Sequence, residues 1–424
     1  KPMLSVQPLS PEQLDSFVIG HKKEHDLQTS LWGALTSHNG WQNLRLGFFR
    51  EDELCAAASI LVKKTPLFGR KIAYCPRGPV CDYEDRALLA ELTEALKREL
   101  NARGVMSLVI DPDVCLSQKD KQERELLPPS DFVSCLQNLG WIHGGYPQNF
   151  ENRQPRFTFR LPLAPGIESV YENLDRMARK NLKFADAAAV RVYESDDLEA
   201  YFAIMRDTAE RDDFFEGAPS YFRHIVPALK EAGMARLTFA RYEPAEHLRL
   251  LEKQRKDALA EKAEIEKILK EKPTPRQKTR LLQTEQTLER LAREKAQAEA
   301  VLEKYPEGLD LSTLITVQTP HRLWTVWGGS RSELRNLAAN YKITWEAIER
   351  AAAQGMEFVD FFGSTGDPSP ENPITGIYSF KKKFSGLFCE FAGEFELPVR
   401  PVCAALWRAL SPAALRLRRR LRRH

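Results

Sequence analysis

Four stretches of this 424-residue chain bring together residue types that can do chemistry. Lys381, Lys382 and Lys383 follow Tyr378 and Phe380 in a row. Such a run offers ammonium groups to an anion such as phosphate, or it is a solvated basic face. Asp111 precedes Pro112 and closes the apolar run Val105–Ile110. Ligand sites of α/β folds gather at strand ends of this kind; the alternative is a turn aspartate that caps its own loop. Arg211 lies in Glu210-Arg211-Asp212-Asp213-Phe214. Its guanidinium can fork onto a phosphate or pair with the adjacent aspartates. Arg77 is the one cation of Tyr74-Cys-Pro-Arg-Gly-Pro-Val80, where two prolines and a glycine stiffen the loop. It either binds a ligand or braces that loop. Tyr221, Trp327 and Tyr378 offer rings to a pocket or to a core.

Other chemistries lack their residues. The chain has no Gly-Lys dipeptide and hence no phosphate-binding P-loop, no His-Glu-x-x-His helix and no Gly-x-Ser-x-Gly elbow. Its seven cysteines are scattered without a Cys-x-x-Cys pair. That speaks against a zinc site or a disulfide framework and suits a reducing cytoplasm. No metal and no cofactor are expected. The longest apolar stretch, Cys55–Val62, is eight residues, short of the ~20 that span a bilayer. Net charge is +3, but the seven arginines from Arg408 to Arg423 leave the other residues at −4. Among those arginines stand Leu406, Trp407, Leu410, Leu415, Leu417 and Leu421. Residues 404–424 therefore read as an amphipathic helix on an anionic membrane, or as a nonspecific grip on RNA phosphates.

The elements that must position these residues are α/β in pattern. Strand-like Leu44–Phe49 and Leu54–Val62 precede an amphipathic helix over Ala87–Arg103, with leucines at 88, 92, 96 and 100, and the short strand Val105–Ile110. A second unit of similar order follows: strand Phe157–Leu161, helix Ile167–Ala189, strands near 190, 235, 311 and 323, helix Ala338–Gln354 and strand Phe358–Phe362. Residues 246–305 interrupt it without a single glycine. Leu281, Thr284, Leu288, Leu291, Lys295, Ala298 and Leu302 alternate at spacings of three and four, a heptad seam with one polar intruder. Pro273-Thr-Pro275 splits the stretch, which predicts an antiparallel helical hairpin ~40 Å long. Its outer face is open to a partner.

Seven landmarks in order carry a family resemblance: the Pro-Arg-Gly-Pro loop, the strand ending at Asp111-Pro112, the Arg211-Asp segment, Trp345-Glu-x-Ile348, Asp360-Phe-x-Gly363, Tyr378-x-Phe-Lys-x-x-Phe384 and Gly393-Glu-Phe-x-Leu-Pro398. Over roughly residues 4–400 the chain resembles the Fem/MurM family of non-ribosomal peptidyltransferases, which branch peptidoglycan precursors. The resemblance implies an α/β fold of two GNAT-like domains with the helical arm inserted in the second. Residues 1–152 are then the first domain, 153–245 with 306–400 the second, 246–305 the arm and 401–424 a basic tail.

The activity implied is transfer of glycine, alanine or serine from aminoacyl-tRNA to a stem-peptide amine of a lipid-linked precursor, with aminoacyl-tRNA as co-substrate. The enzyme is expected in the cytoplasm at the inner face of the plasma membrane, as monomer or homodimer. By the same resemblance Lys381 stabilises the oxyanion and Asp111 orients or deprotonates the acceptor amine. Arg211 matches the family's precursor-phosphate arginine, with Arg77 as a further substrate-binding candidate from its loop and Lys382 and Lys383 as further cations for phosphate. Phe380, Tyr221, Trp327 and Tyr378 line the pocket. One position departs. Small members carry a phosphate-contacting lysine soon after Trp32, and here Thr36 or His38 stands in that place. Two rivals remain: an acyl-CoA-dependent N-acyltransferase, whose pyrophosphate loop is matched only poorly by Gln137–Ile142, and a non-enzymatic membrane or RNA adaptor.

Overall fold

A computed structural model describes residues 4–37, 40–65, 69–212 and 218–410. The first run holds β1 (Ser5–Pro8), α1 (Pro11–Ile19), α2 (Ser30–Thr36), β2 (Trp41–Arg50), β3 (Glu53–Lys64), β4 (Lys71–Cys75), β5 (Val80–Cys81), α3 (Arg86–Ala102), β6 (Val105–Ile110), β7 (Cys115–Lys119), α4 (Phe132–Asn138) and β8 (Ile142–His143). The second begins with β9 (Phe157–Pro162), α5 (Ile167–Asn173), α6 (Arg176–Ala187), β10 (Val190–Glu194), α7 (Leu198–Asp212), α8 (Pro219–Glu231) and β11 (Ala235–Tyr242). The arm is α9 (Pro244–Glu271) with α10 (Pro275–Lys304). The chain then returns through β12 (Leu309–Gln318), β13 (Arg322–Ser330), α11 (Ala339–Ala353), β14 (Phe358–Asp360), α12 (Thr375–Lys382), β15 (Leu387–Phe391) and β16 (Phe395–Leu397).

Two mixed sheets result, one ordered β1-β2-β3-β4-β6-β16-β8 with β5 on β3, the other β10-β11-β12-β13-β14-β9-β15-β7. Each has an antiparallel meander and one parallel step, β4 beside β6 and β13 beside β14. A helix crosses each step, α3 in one and α11 in the other. The two α/β units of similar order that the pattern predicts are thus real. Local sequence explains the crossovers. Asp85 caps α3 by accepting the Leu88 N–H at 2.9 Å. Leu88, Leu92, Leu96 and Leu100 are then buried on one face against the sheet. Gly104 at φ 73° turns the chain into β6.

The sheets do not respect the contiguous partition at residues 152 and 400. β7 leaves the first run to pair with β15 in the second sheet, and β16 leaves the second run to sit between β6 and β8 in the first. The two crossing segments are tied together, with Ala392 N–H donating to Val114 O at 2.9 Å. The helix expected over Ile167–Ala189 also breaks in two. Leu174 turns extended, and Asp175 caps α6 by accepting the Met177 N–H at 2.8 Å.

The arm follows the predicted seam. Leu291 and Ala298 are fully buried against Leu251 and Ala258 of α9, so the seam is spent within the chain. Cross-helix pairs Lys262–Glu285 at 2.8 Å and Arg280–Glu261 at 2.7 Å flank it. Residues 401–410 form a helix in which Ala404 is buried and Arg408 pairs with Glu396 at 3.1 Å. The rest of the 404–424 tail, 411–424, lies outside the described residues. Among the described residues no helix is long and apolar enough to cross a membrane.

Because Leu291 is 1% exposed at the centre of the seam, Leu291→Ala should cost the arm about 2–3 kcal/mol. The expected readout is faster amide hydrogen exchange in α9 and α10, with β11 and β12 unchanged.

Candidate functional site at the strand exchange

Asp111 directly follows β6, where the chain leaves the first sheet for the second, and it is 2% exposed. Its two oxygens accept from the Tyr74 hydroxyl and from the Arg77 N–H, each at 2.6 Å. Arg77 reaches that N–H geometry through a left-handed conformation, φ 52°. Gly78 follows so closely over Gln28 that any Cβ there would lie 2.5 Å from the Gln28 amide carbon. Burial pushes the Asp111 carboxyl up to about 6, against the pull of the Arg77 charge and the Tyr74 hydroxyl. The Arg77 side chain is buried. It donates to Pro155 O at 2.7 Å and lies 4.4 Å over the Phe391 ring. Held this way it braces the first-domain loop against the second run, and it is not offered to a phosphate.

Two residues beyond Asp111, buried Asp113 accepts from Arg160 Nη2 at 2.7 Å. Arg160 Nε donates to Asp360 Oδ2 at 2.8 Å. Asp360 Oδ1 also accepts from the Thr158 hydroxyl at 2.5 Å and the Phe362 N–H at 2.8 Å. Burial alone would raise Asp113, but Arg160 outweighs it and holds the carboxyl well below its usual range. Burial likewise opposes charge on Arg160, and the two aspartates more than restore it. Phe358 and Phe391 cover the guanidinium, each centroid 4.9 Å away.

The same Asp360 turn fixes Lys381. The turn presents the carbonyls of Phe362 and Gly363, and both accept from Lys381 Nζ at 2.5 Å. Burial pushes the amine down to about 7, with Asp360 pulling the other way. An ammonium has three donors. Two are committed to carbonyls, so the third has a set direction.

The remaining predicted residues divide. Phe380 and Lys383 line a cavity of about 370 Å³ with Tyr341, Arg331 and Arg335. Arg211 donates to the carbonyl of Ser330, which lines the same cavity, at 2.7 Å. Glu333 also lines it, but its carboxylate is engaged by Lys304 at 3.2 Å and the Tyr305 hydroxyl at 3.1 Å. Tyr221 and Trp327 meet edge to face at 6.4 Å, beside Phe222. Tyr378 packs in the core on Phe159 and Phe388 at 5.2 and 5.3 Å. Lys382 turns away onto the Glu123 carboxylate. Neither Tyr378 nor Lys382 faces the cavity. Thr36 cannot stand in for a cation, because its hydroxyl is spent on Trp32 O at 2.8 Å and Gly33 O at 3.2 Å. His38 lies outside the described residues.

Tyr74, Asp113, Arg160 and Asp360 have no assigned role in the sequence reading. Arg160 carries a usable signal, a lone cation inside the buried strand Phe157–Leu161. Asp113 offers only its distance of two residues from Asp111.

This is the build of a two-domain α/β group transferase, with a preorganised cation and a carboxylate at the join of its sheets. Residues 9–411 match the FemAB family, and the chain belongs to that family. It is similar to the lipid II:glycine glycyltransferase of Staphylococcus haemolyticus strain JCSC1435, 25% identical over 422 residues and 98% of each chain. It is also similar to the enzyme of that name from Staphylococcus aureus strain USA300, 26% identical over 425 residues, 98% of this chain and 99% of the other. The crystal structure of FemX superposes with a TM-score of 0.79 at 25% identity, over 95% of this chain and 99% of that one.

Removing Arg160 leaves two carboxylates buried without their cation. Arg160→Ala should therefore lower stability by about 3–5 kcal/mol in denaturant melts at neutral pH. Asp113, depressed in the fold, contributes stability above its ordinary value of 3.8 that is lost as pH falls. The destabilisation by Arg160→Ala should accordingly shrink in melts repeated at pH 3.

Proposed function

We propose that the protein transfers an amino acid, glycine in the first instance, from aminoacyl-tRNA to an amine on the peptide of lipid II, building an interpeptide bridge. The observation that carries this reading is end-to-end similarity to enzymes named lipid II:glycine glycyltransferase. The site's chemistry supports it. An incoming amine attacks the ester carbonyl, the new C–N bond forms, and the ribose oxygen leaves with the proton that the amine gives up. Negative charge develops on the carbonyl oxygen, and a fixed donor aimed there is the largest single aid available. The free N–H of Lys381 is that donor. Asp111, with a proton affinity near neutrality, orients the amine or takes its proton.

The cavity beside Phe380 suits the phosphate-bearing 3′ end of the donor. Among the described residues no carboxylate pairs with Arg335 or Lys383 on its rim. Helix α11 begins there at Ala339 without a side-chain cap, which leaves amide N–H groups for an anion. Arg211 reaches the same rim through Ser330.

Incubation with lipid II and a panel of charged tRNAs, read by mass shift, tests the reading. Transfer from glycyl-tRNA is expected, and turnover of acetyl-CoA without tRNA would overturn it. Lys381→Ala should lower turnover by about 10²–10³ and leave lipid II affinity unchanged; near-normal turnover removes Lys381 from the mechanism. The pH profile supplies a separate check. Turnover should rise as Asp111 ionises near 6 and fall as Lys381 loses its proton near 7. The alkaline limb should be missing from the residual activity of Lys381→Ala. An unchanged limb in that variant assigns it to another group.

A further inference from the structure

The outer end of the first sheet carries a second cluster of cations that the transfer chemistry does not use. β3 ends at Lys63 and Lys64, and β4 begins at Lys71. In the antiparallel register Lys64 stands directly opposite Lys71. Like charges facing each other across a strand pair are destabilising. Arg70 adds a further charge at the same turn, where its carbonyl accepts the Thr65 N–H at 2.8 Å. Among the described residues no carboxylate lies within 4 Å of Lys63, Lys64, Arg70 or Lys71. In the second sheet, by contrast, Arg241 is compensated by Asp310 at 3.0 Å and Arg236 by Glu194 at 2.6 Å.

The uncompensated end is also concave. Gly40, Gln42, Val62, Lys63, Lys64 and Lys71 line a cavity of about 340 Å³. Gln42 adds an amide donor on the face that carries Lys64 and Lys71. Trp41 stands opposite Lys63 in the register, with the Lys63 ammonium 5.5 Å from its ring centroid. Trp41 and Lys63 alternate to the other face of the same sheet end, and a half-buried indole beside an ammonium matches the level of lipid headgroups, where an apolar ring and a charged tip are both satisfied.

We infer that this end of the β2–β3–β4 sheet binds the phosphate group of a lipid-borne ligand, with Lys64 and Lys71 closing on the anion from opposite strands. A phosphate between them converts their repulsion into two charge-assisted contacts. The headgroup can be the diphosphate of an isoprenoid-linked acceptor or an anionic lipid of the bilayer. Only the first source rests on the transfer reading, and the test below measures binding without turnover.

Full-length protein is titrated with geranyl diphosphate. Separately it is co-sedimented with phosphatidylcholine vesicles with and without phosphatidylglycerol. The variant Lys63→Gln/Lys64→Gln/Lys71→Gln is compared with Lys253→Gln/Lys256→Gln/Lys267→Gln, which removes equal charge from the exposed face of the arm. The triple variant of the β3–β4 hairpin should lose about tenfold in affinity, and the arm variant should bind like the parent protein. Its melting temperature should not fall, because a repulsion has been removed; the exposed single change Lys64→Gln repeats the test with the least burden on folding. Loss with geranyl diphosphate assigns the site to an isolated headgroup, and loss with anionic vesicles alone assigns it to the bilayer. Unchanged binding of both probes by the hairpin variant, equal loss in the arm variant, or no binding of either probe by the parent protein overturns the proposal.

Discussion

The clasp of Arg160 between Asp113 and Asp360 is the interaction on which the rest of the site depends. It joins a loop leaving the first sheet to a strand end of the second, with the guanidinium fork satisfied on both sides. Buried charge is costly unless it is paired and hydrogen-bonded. Arg160 meets that condition through two carboxylates, and aromatic rings shield it from water. Asp360 then holds the Phe362 N–H. The turn that follows presents the two carbonyls that grip Lys381. Asp113 pins the loop that begins with Asp111. One buried triad thus sets the position of both groups assigned to the chemistry.

Strand exchange makes this arrangement rigid. β7 and β16 each pair in the sheet opposite to the run of chain they come from, so the domains are not free to hinge as two beads on a linker. Arg322 adds a second tie, donating to Glu24 O at 2.5 Å and Lys22 O at 2.8 Å. A rigid join matters for the donor role proposed for Lys381, whose value lies in being aimed before the reaction begins. It also keeps the lysine desolvated, which is why its proton affinity falls toward neutrality despite a nearby aspartate.

The periodic elements were legible from the sequence, since helix and strand periods and capping residues act over a few positions. The leucines of α3, the break at Pro273-Thr-Pro275 and the seam through Leu291 and Ala298 all appear where the pattern puts them. The catalytic candidates were legible only through the ordered run of motifs. Their surroundings were not: nothing local distinguishes Lys381, gripped by two carbonyls, from Lys382, paired with Glu123 on the surface. Nor does the chain announce that Arg77 is sealed over Phe391 while Lys383 lines a cavity. These outcomes depend on contacts between residues tens to hundreds of positions apart.

The sequence alone determined the family, the α/β class, the two similar units and the inserted helical hairpin, because these rest on short-range periodicity and on motif order. Tertiary structure decided which sheet each crossing strand joins, which cations are spent on carboxylates or carbonyls, and which proton affinities move. The physical reason is that desolvation and ion pairing are properties of a burial site. That site exists only once β6, β9, β14 and α12 have been brought together.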